Sequence, residues 1–109
     1  MNRMQSLIAE RLEPRRAQAL RLVDAIIRDA ANSGLLIIPI GSLARGEFRI
    51  HSDIDLLVRA PLDASRRLRA EQIVANHLRG TDIPYDLIFE ADLDADRVEE
   101  LLHDALHAC

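Results

Sequence analysis

Residues 35–58 read LLIIPIGSLARGEFRIHSDIDLLV, and the fold turns on how this stretch divides. Leu35-Leu36-Ile37-Ile38 is a short unbroken apolar run, the pattern of a buried strand, with Pro39 near its end. Gly41-Ser42 then makes a turn into a short helical segment. A polar loop from Glu47 to Ser52 leads to a second strand over Asp53 to Arg59.

Working outward, Ala17, Leu20, Val23, Ile27 and Ala30 recur at helical spacing upstream, with Arg21, Asp24 and Arg28 elsewhere around the helix. Pro14 is expected to divide the N-terminal region, because it disfavours helix at Glu13 and suits a first helical turn. Asn32-Ser33-Gly34 supplies the stop. Downstream, Pro61 to Asp63 breaks the pattern and Asp63 caps a helix carrying Leu68, Ile73, Val74, His77 and Leu78, which Gly80 ends. Pro84 opens a third strand, Tyr85 to Phe89. Asp92 or Asp94 caps a last helix holding Val98, Leu101, Leu102, Ala105 and Leu106. Helices alternate with at least three strands, an α/β pattern; the pattern alone leaves strand direction open.

The 109 residues suit one domain, 1–109, and folding at this size buries about two-thirds of the chain's surface. The single cysteine, Cys109, excludes a disulfide framework or a cysteine zinc site. No apolar run approaches the roughly 20 residues of a membrane span, and no signal-peptide block opens the chain. The expected location is the cytoplasm, with no membrane association. A net charge of −4 and 3% aromatic residues argue against direct nucleic-acid binding. All 14 basic residues are arginine, so phosphate contacts fall to arginine or backbone N–H groups, and a lysine-based phosphate loop is excluded.

The chemistry concentrates in the opening stretch. Residues i and i+2 of a strand share a face with Cα atoms about 6.6 Å apart, so Asp53 and Asp55 aim at one point. Two anions about 5 Å apart repel by about 3 kcal/mol at an effective dielectric of 20. A hard divalent cation turns that repulsion into coordination, and Mg²⁺ takes a few carboxylates plus substrate phosphates. Asp86, between Tyr85 and Leu87, is costly on a buried strand unless partnered. Placed beside Asp53 and Asp55, it completes a set of three carboxylates that suits two metal ions and an in-line phosphoryl or nucleotidyl transfer, with Asp86 on the second metal and near the attacking hydroxyl. Gly41 permits close backbone approach, Ser42 is expected to cap a segment starting at Leu43, and the N–H groups there favour a triphosphate tail. Arg45, one turn on, reaches a phosphate bidentately. Taken singly, a Gly-Ser turn, an Asp-x-Asp and a strand aspartate each have ordinary structural roles; it is their order that carries the reading.

Gly41-Ser42-Leu43-Ala44-Arg45-Gly46, then Ser52-Asp53-Ile54-Asp55-Leu56-Leu57-Val58, then Tyr85-Asp86-Leu87-Ile88, resembles the minimal nucleotidyltransferases of the polymerase-beta-like superfamily. An aromatic residue often precedes the Gly-Ser pair in that family; here it is Ile40. The resemblance implies the nucleotidyltransferase fold, an α/β (α+β) arrangement with a small mixed sheet flanked by helices. It implies that Asp53, Asp55 and Asp86 are the catalytic, metal-binding carboxylates, holding Mg²⁺ in a two-metal site. ATP is then the substrate, with Gly41, Ser42, Arg45 and Ser52 on the nucleotide side. Members of this size resemble antitoxins that transfer AMP to a tyrosine of a partner helical HEPN toxin, which implies a hetero-oligomer with that toxin. Two other readings stay open. One is a non-catalytic antitoxin that neutralises its partner by occupancy, because 109 residues leave little chain for an acceptor pocket. The other is a small-molecule nucleotidyltransferase acting on an aminoglycoside-like hydroxyl, an activity that usually needs a second domain.

Other residues are given plainer roles. His103 and His107 stand four apart without an evident third metal ligand and are read as flanking a core stripe. His51 is read as a loop histidine, and Cys109 as inert. Arg66, Arg67 and Arg69 are read as a solvated face, while Glu47 and Arg49 lie in the loop over the site.

Overall fold

The computed structural model describes residues 3–49, 52–60 and 62–106. His51, Pro61, His107 and Cys109 lie outside the described residues. The elements run α1 (Arg3–Asn32), β1 (Ile37–Ile40), α2 (Gly41–Ala44), β2 (Ile54–Val58), α3 (Ala64–Leu78), β3 (Tyr85–Phe89), a 3₁₀ turn (Glu90–Asp92) and α4 (Ala95–Leu106). The strands form one sheet in the order β1-β2-β3. β1 runs antiparallel to β2, and β3 parallel to it, so the sheet is mixed.

The central strand decides the layering. Ile54, Leu56 and Val58 point to one face and pack with Ile37 and Phe89 against Ala19, Val23, Ile26 and Ala30 of α1 and Ala70, Ile73, Val74 and Leu78 of α3. Leu57 points to the other face and packs with Ile40 and with Leu101 of α4. Full burial of each such Ile, Leu or Val contributes about 1.5–3 kcal/mol. β2 is therefore covered on both sides, and Asp55 is its only half-buried residue.

Several expectations are corrected. Pro14 does not divide the N-terminal region: α1 runs through it as one 30-residue helix. Pro14 is exposed, so the carbonyl its missing N–H leaves unpaired can be solvated. The buried stripe of α1 is Ala19, Val23, Ile26 and Ala30; Ala17 is exposed, Leu20 is 48% exposed and Ile27 only half-buried. Small alanines at both ends of the true stripe let the helix approach the sheet closely. β1 sits two residues later than the apolar run suggests and includes Pro39, which an edge strand tolerates because one row of its backbone groups pairs with no strand. Leu36, ahead of β1, is exposed, and so is Leu68 on α3. β2 begins at Ile54, leaving Asp53 at its mouth.

The arginines of α3 do not form a merely solvated face. Arg66 donates to the Gly34 carbonyl at the end of α1. Arg67 grips Asp92 with two hydrogen bonds of 2.9 and 2.7 Å and lies 4.3 Å over the Phe89 ring. Of the two candidate caps for α4, Asp94 performs the task, accepting from the Arg97 N–H at 2.8 Å, while Asp92 serves Arg67. Asp63 caps α3 as expected, accepting from the Arg66 N–H at 2.8 Å. No helix among the described residues is long and apolar enough to cross a membrane.

Candidate active site

The site forms where β1 ends and β2 and β3 begin. Ile40 is the register partner of Asp55 on one side, and Asp86 is its partner on the other. Paired residues of neighbouring strands share a face about 4.8 Å apart, so the register alone brings Asp55 and Asp86 level. The next residue after Ile40 is Gly41, at φ +71, where the chain turns off the sheet into α2. A β-carbon there would overlap Asp55 Oδ2 and stand 3.2 Å from its Cγ. Glycine is thus required twice, for the left-handed backbone and for the space the carboxylate occupies.

α2 is tied by short turns: the Arg45 N–H donates to the Gly41 carbonyl at 3.1 Å, and the Glu47 N–H to the Ser42 carbonyl at 2.8 Å. Ser42 is not the cap of a segment starting at Leu43. The helix starts at Gly41 with Ile40 in the cap position, and no side chain caps it. Ser42 instead lines an open cleft of about 390 Å³. It is lined by Asp55, Asp86 and Ile88 of the sheet, by Ser42 of α2 and Arg45 just after it, and by Arg97 and Leu101 of α4.

Of the residues singled out in the sequence, Gly41, Ser42, Arg45, Asp55 and Asp86 meet in this cleft. Asp53 is exposed at its mouth and makes its charge felt at Asp55. Burial pushes the Asp55 carboxyl above the usual carboxylate range, the negative charges of Asp53 and Asp86 push it further, and the Arg45 guanidinium opposes them. Asp86 is exposed, contrary to the buried strand expected for it, because β3 is a sheet edge with its first residues open to solvent. Ser52 stands outside the lining. Its hydroxyl accepts from the Arg49 N–H at 2.8 Å and its own N–H returns to the Arg49 carbonyl at 3.0 Å, closing the loop just before Asp53. Glu47 accepts from Arg45 Nε at 3.2 Å.

Arg97 is the residue that sequence reasoning missed. It is the only arginine of α4, a helix that otherwise carries Asp96, Glu99, Glu100 and Asp104. That isolation was the available signal.

Among the described residues, no three His, Cys, Asp or Glu side chains stand close enough together to hold a metal ion by themselves. The donor chemistry nonetheless fits Mg²⁺, which such sites bind through one or two carboxylates and the substrate's phosphates. Asp55, crowded by two like charges, is the carboxylate that a cation most relieves.

Among the curated proteins, none matches the chain. The family model for the nucleotidyltransferase domain matches residues 21–106, from within α1 through α4, and so takes in every element of the cleft. The mixed three-stranded sheet flanked by helices agrees with the nucleotidyltransferase fold. With most of its length covered, the chain belongs to the nucleotidyltransferase domain family of the polymerase-beta-like superfamily.

Proposed function

We propose that the chain transfers AMP from ATP to a tyrosine hydroxyl of a helical HEPN toxin and acts, in the cytoplasm, as that toxin's antitoxin. Nucleotidyl transfer in general follows from the family. The observation that carries the residue roles is the register of Asp55 with Asp86, in one cleft with Gly41 and Ser42. A volume of about 390 Å³ lies at the lower end of the roughly 300–1,000 Å³ of small-molecule sites. It suits one nucleotide, with the acceptor arriving from outside on another molecule.

Asp53, Asp55 and Asp86 would hold Mg²⁺, two ions in the full set, which supplies charge neutralisation on the phosphate oxygens. Gly41 and Ser42 seat the β- and γ-phosphates, and Arg45 and Ser52 support the nucleotide from α2 and from the loop before Asp53. Asp86, at the open edge, orients the acceptor hydroxyl and receives its proton. The acceptor oxygen bonds to the α-phosphorus as the bond from that phosphorus to the β-phosphate oxygen breaks. Pyrophosphate leaves with the electron pair.

The test is intact-mass spectrometry of the neighbouring gene product after incubation with this protein, Mg²⁺ and ATP. An increment of one or more AMP units, absent with the Asp53→Asn, Asp55→Asn protein, is the expected result. A stable complex without any increment would replace this reading by neutralisation through occupancy. Neither complex nor increment would turn attention to a small-molecule acceptor.

A further inference from the structure

Arg97 has no role in the site as described so far, yet it lines the cleft from α4, in the same lining as Arg45. The two arginines line one cleft with the carboxylates Asp55 and Asp86. Counted with Asp53, whose charge reaches Asp55, the site carries three acidic side chains against these two cations. A nucleoside triphosphate adds further negative charge, and Arg97 is one of the two arginines lining the cleft that can face it. Its surroundings on α4 do not account for the cation in structural terms. Among the described residues its side chain pairs with Glu100, one turn on, with Nη1 to Oε2 at 3.0 Å. Both partners are open to solvent, at 55% and 68% exposure, and such a pair contributes only about 0–1 kcal/mol. A guanidinium carries five N–H donors in a planar fork that matches phosphate as well as carboxylate. Exchange of Glu100 for a phosphate therefore sacrifices little and gains a charge-assisted contact inside the cleft.

We infer that Arg97 is a phosphate-binding residue of the nucleotide site, parked on Glu100 in the free protein and moved onto the phosphate chain when the nucleotide enters. This rests on the reading of the cleft as a nucleoside triphosphate site. Bound nucleotide is thereby held from α4 as well as from α2, and Glu100 acts as a competitor for the same guanidinium.

The experiment is equilibrium titration of the full chain with Mg²⁺–tripolyphosphate and with Mg²⁺–ATP, for the wild-type protein, Arg97→Ala, Arg97→Lys and Glu100→Gln, each checked for an unchanged thermal transition. Arg97→Ala is expected to weaken both ligands about tenfold, the scale of one charge-assisted contact. Arg97→Lys, which keeps the charge and the fold but loses the fork, is expected to fall between. Glu100→Gln is expected to tighten both ligands about two- to fivefold, an effect that disappears in the Arg97→Ala background. Unchanged tripolyphosphate affinity in Arg97→Ala, whether or not ATP binding weakens, would overturn the inference while leaving the nucleotide site in place. If the wild-type protein binds neither ligand, the reading of the cleft fails and the inference falls with it.

Discussion

Gly41 and Asp55 share one small volume: a β-carbon on the first would overlap Oδ2 of the second. The turn into α2 and the aspartate of β2 are therefore a single geometric unit, joined by the Ile40–Asp55 register pair. Gly41→Ala must accept a left-handed backbone at φ +71 and push the Asp55 carboxylate aside. The first costs about 1–2 kcal/mol and the overlap about 1–3 kcal/mol more. We expect a loss of about 2–5 kcal/mol in chemical denaturation and a fall of at least about a hundredfold in kcat/KM, the scale of a 1 Å misplacement. A variant with wild-type turnover would show that Asp55 is free to move without consequence.

Asp55 also makes stability depend on pH in a stated direction. Its folded-state pKa is raised, by burial first and then by Asp53 and Asp86, against the opposing Arg45. The unfolded chain therefore ionises at lower pH than the folded one. As pH rises through the window between the two values, the unfolded state gives up its proton first and stability falls, with the full penalty present at neutral pH. Asp55→Asn removes that penalty. Its thermal transition at neutral pH should lie above that of the wild-type protein, and the difference should vanish in acid, below the carboxylate range. Mg²⁺ should raise the wild-type transition and leave that of the variant nearly unchanged. Nucleotidyl transfer by the variant should fall more than about a hundredfold, beyond what loss of outer partners alone costs at a metal site.

What was legible in the chain followed from local chemistry. Gly34, Gly41, Gly46 and Gly80 all adopt positive φ and mark the places where elements turn, and the caps at Asp63 and Asp94 mark where helices start. In β2, Asp55 lies on the face opposite Ile54 and Leu56, as strand periodicity requires. The misread points depend on tertiary context. Leu20 and Leu68 fit a helical stripe but face solvent, because α1 and α3 are rotated to present alanines to the core. Asp86 looked buried among apolar neighbours because its strand's edge position is a fact of sheet order, not of composition. Arg97 escaped notice because α4 reaches the cleft only through its packing beside Ile40 and Leu57.

Ser52 offers a test of how the loop serves the carboxylates. Its hydroxyl accepts from the Arg49 N–H, and its N–H donates to the Arg49 carbonyl, so one residue closes the loop from both ends immediately before Asp53. Ser52→Ala removes the acceptor at a cost of about 0.5–1.5 kcal/mol and loosens the residue that leads Asp53 into the site. We expect kcat to fall about tenfold, with Ser52→Thr restoring most of it because the hydroxyl is kept. Full activity in Ser52→Ala would mean that β2 alone positions Asp53.

At the far end of β2, Ala60 is held at φ 74, the left-handed region that costs a non-glycine residue about 1–2 kcal/mol. The Glu90 carboxylate accounts for it. Its Oε2 accepts from the Ala60 N–H and from Arg59 Nε at 3.0 Å, and its Oε1 accepts from Arg59 Nη2 at 3.3 Å. The Arg59 bond, and then the Ala60 N–H, hold the Glu90 carboxyl below the usual range. A depressed pKa gives stability that is complete above the unfolded-state value and lost as pH falls through the folded one. Glu90→Gln should therefore destabilise by about 1 kcal/mol near neutrality and by little in acid. Ala60→Gly should stabilise by up to about 1 kcal/mol, the relieved strain exceeding the added freedom of the unfolded chain. The two changes touch one turn and should not add. Without the carboxylate to hold it, Ala60 can relax toward negative φ, so glycine has less strain left to remove. Denaturant midpoints of the two single variants and the double variant measure this directly. A glycine gain that is the same in both backgrounds would mean that the strand end, and not Glu90, imposes the strain.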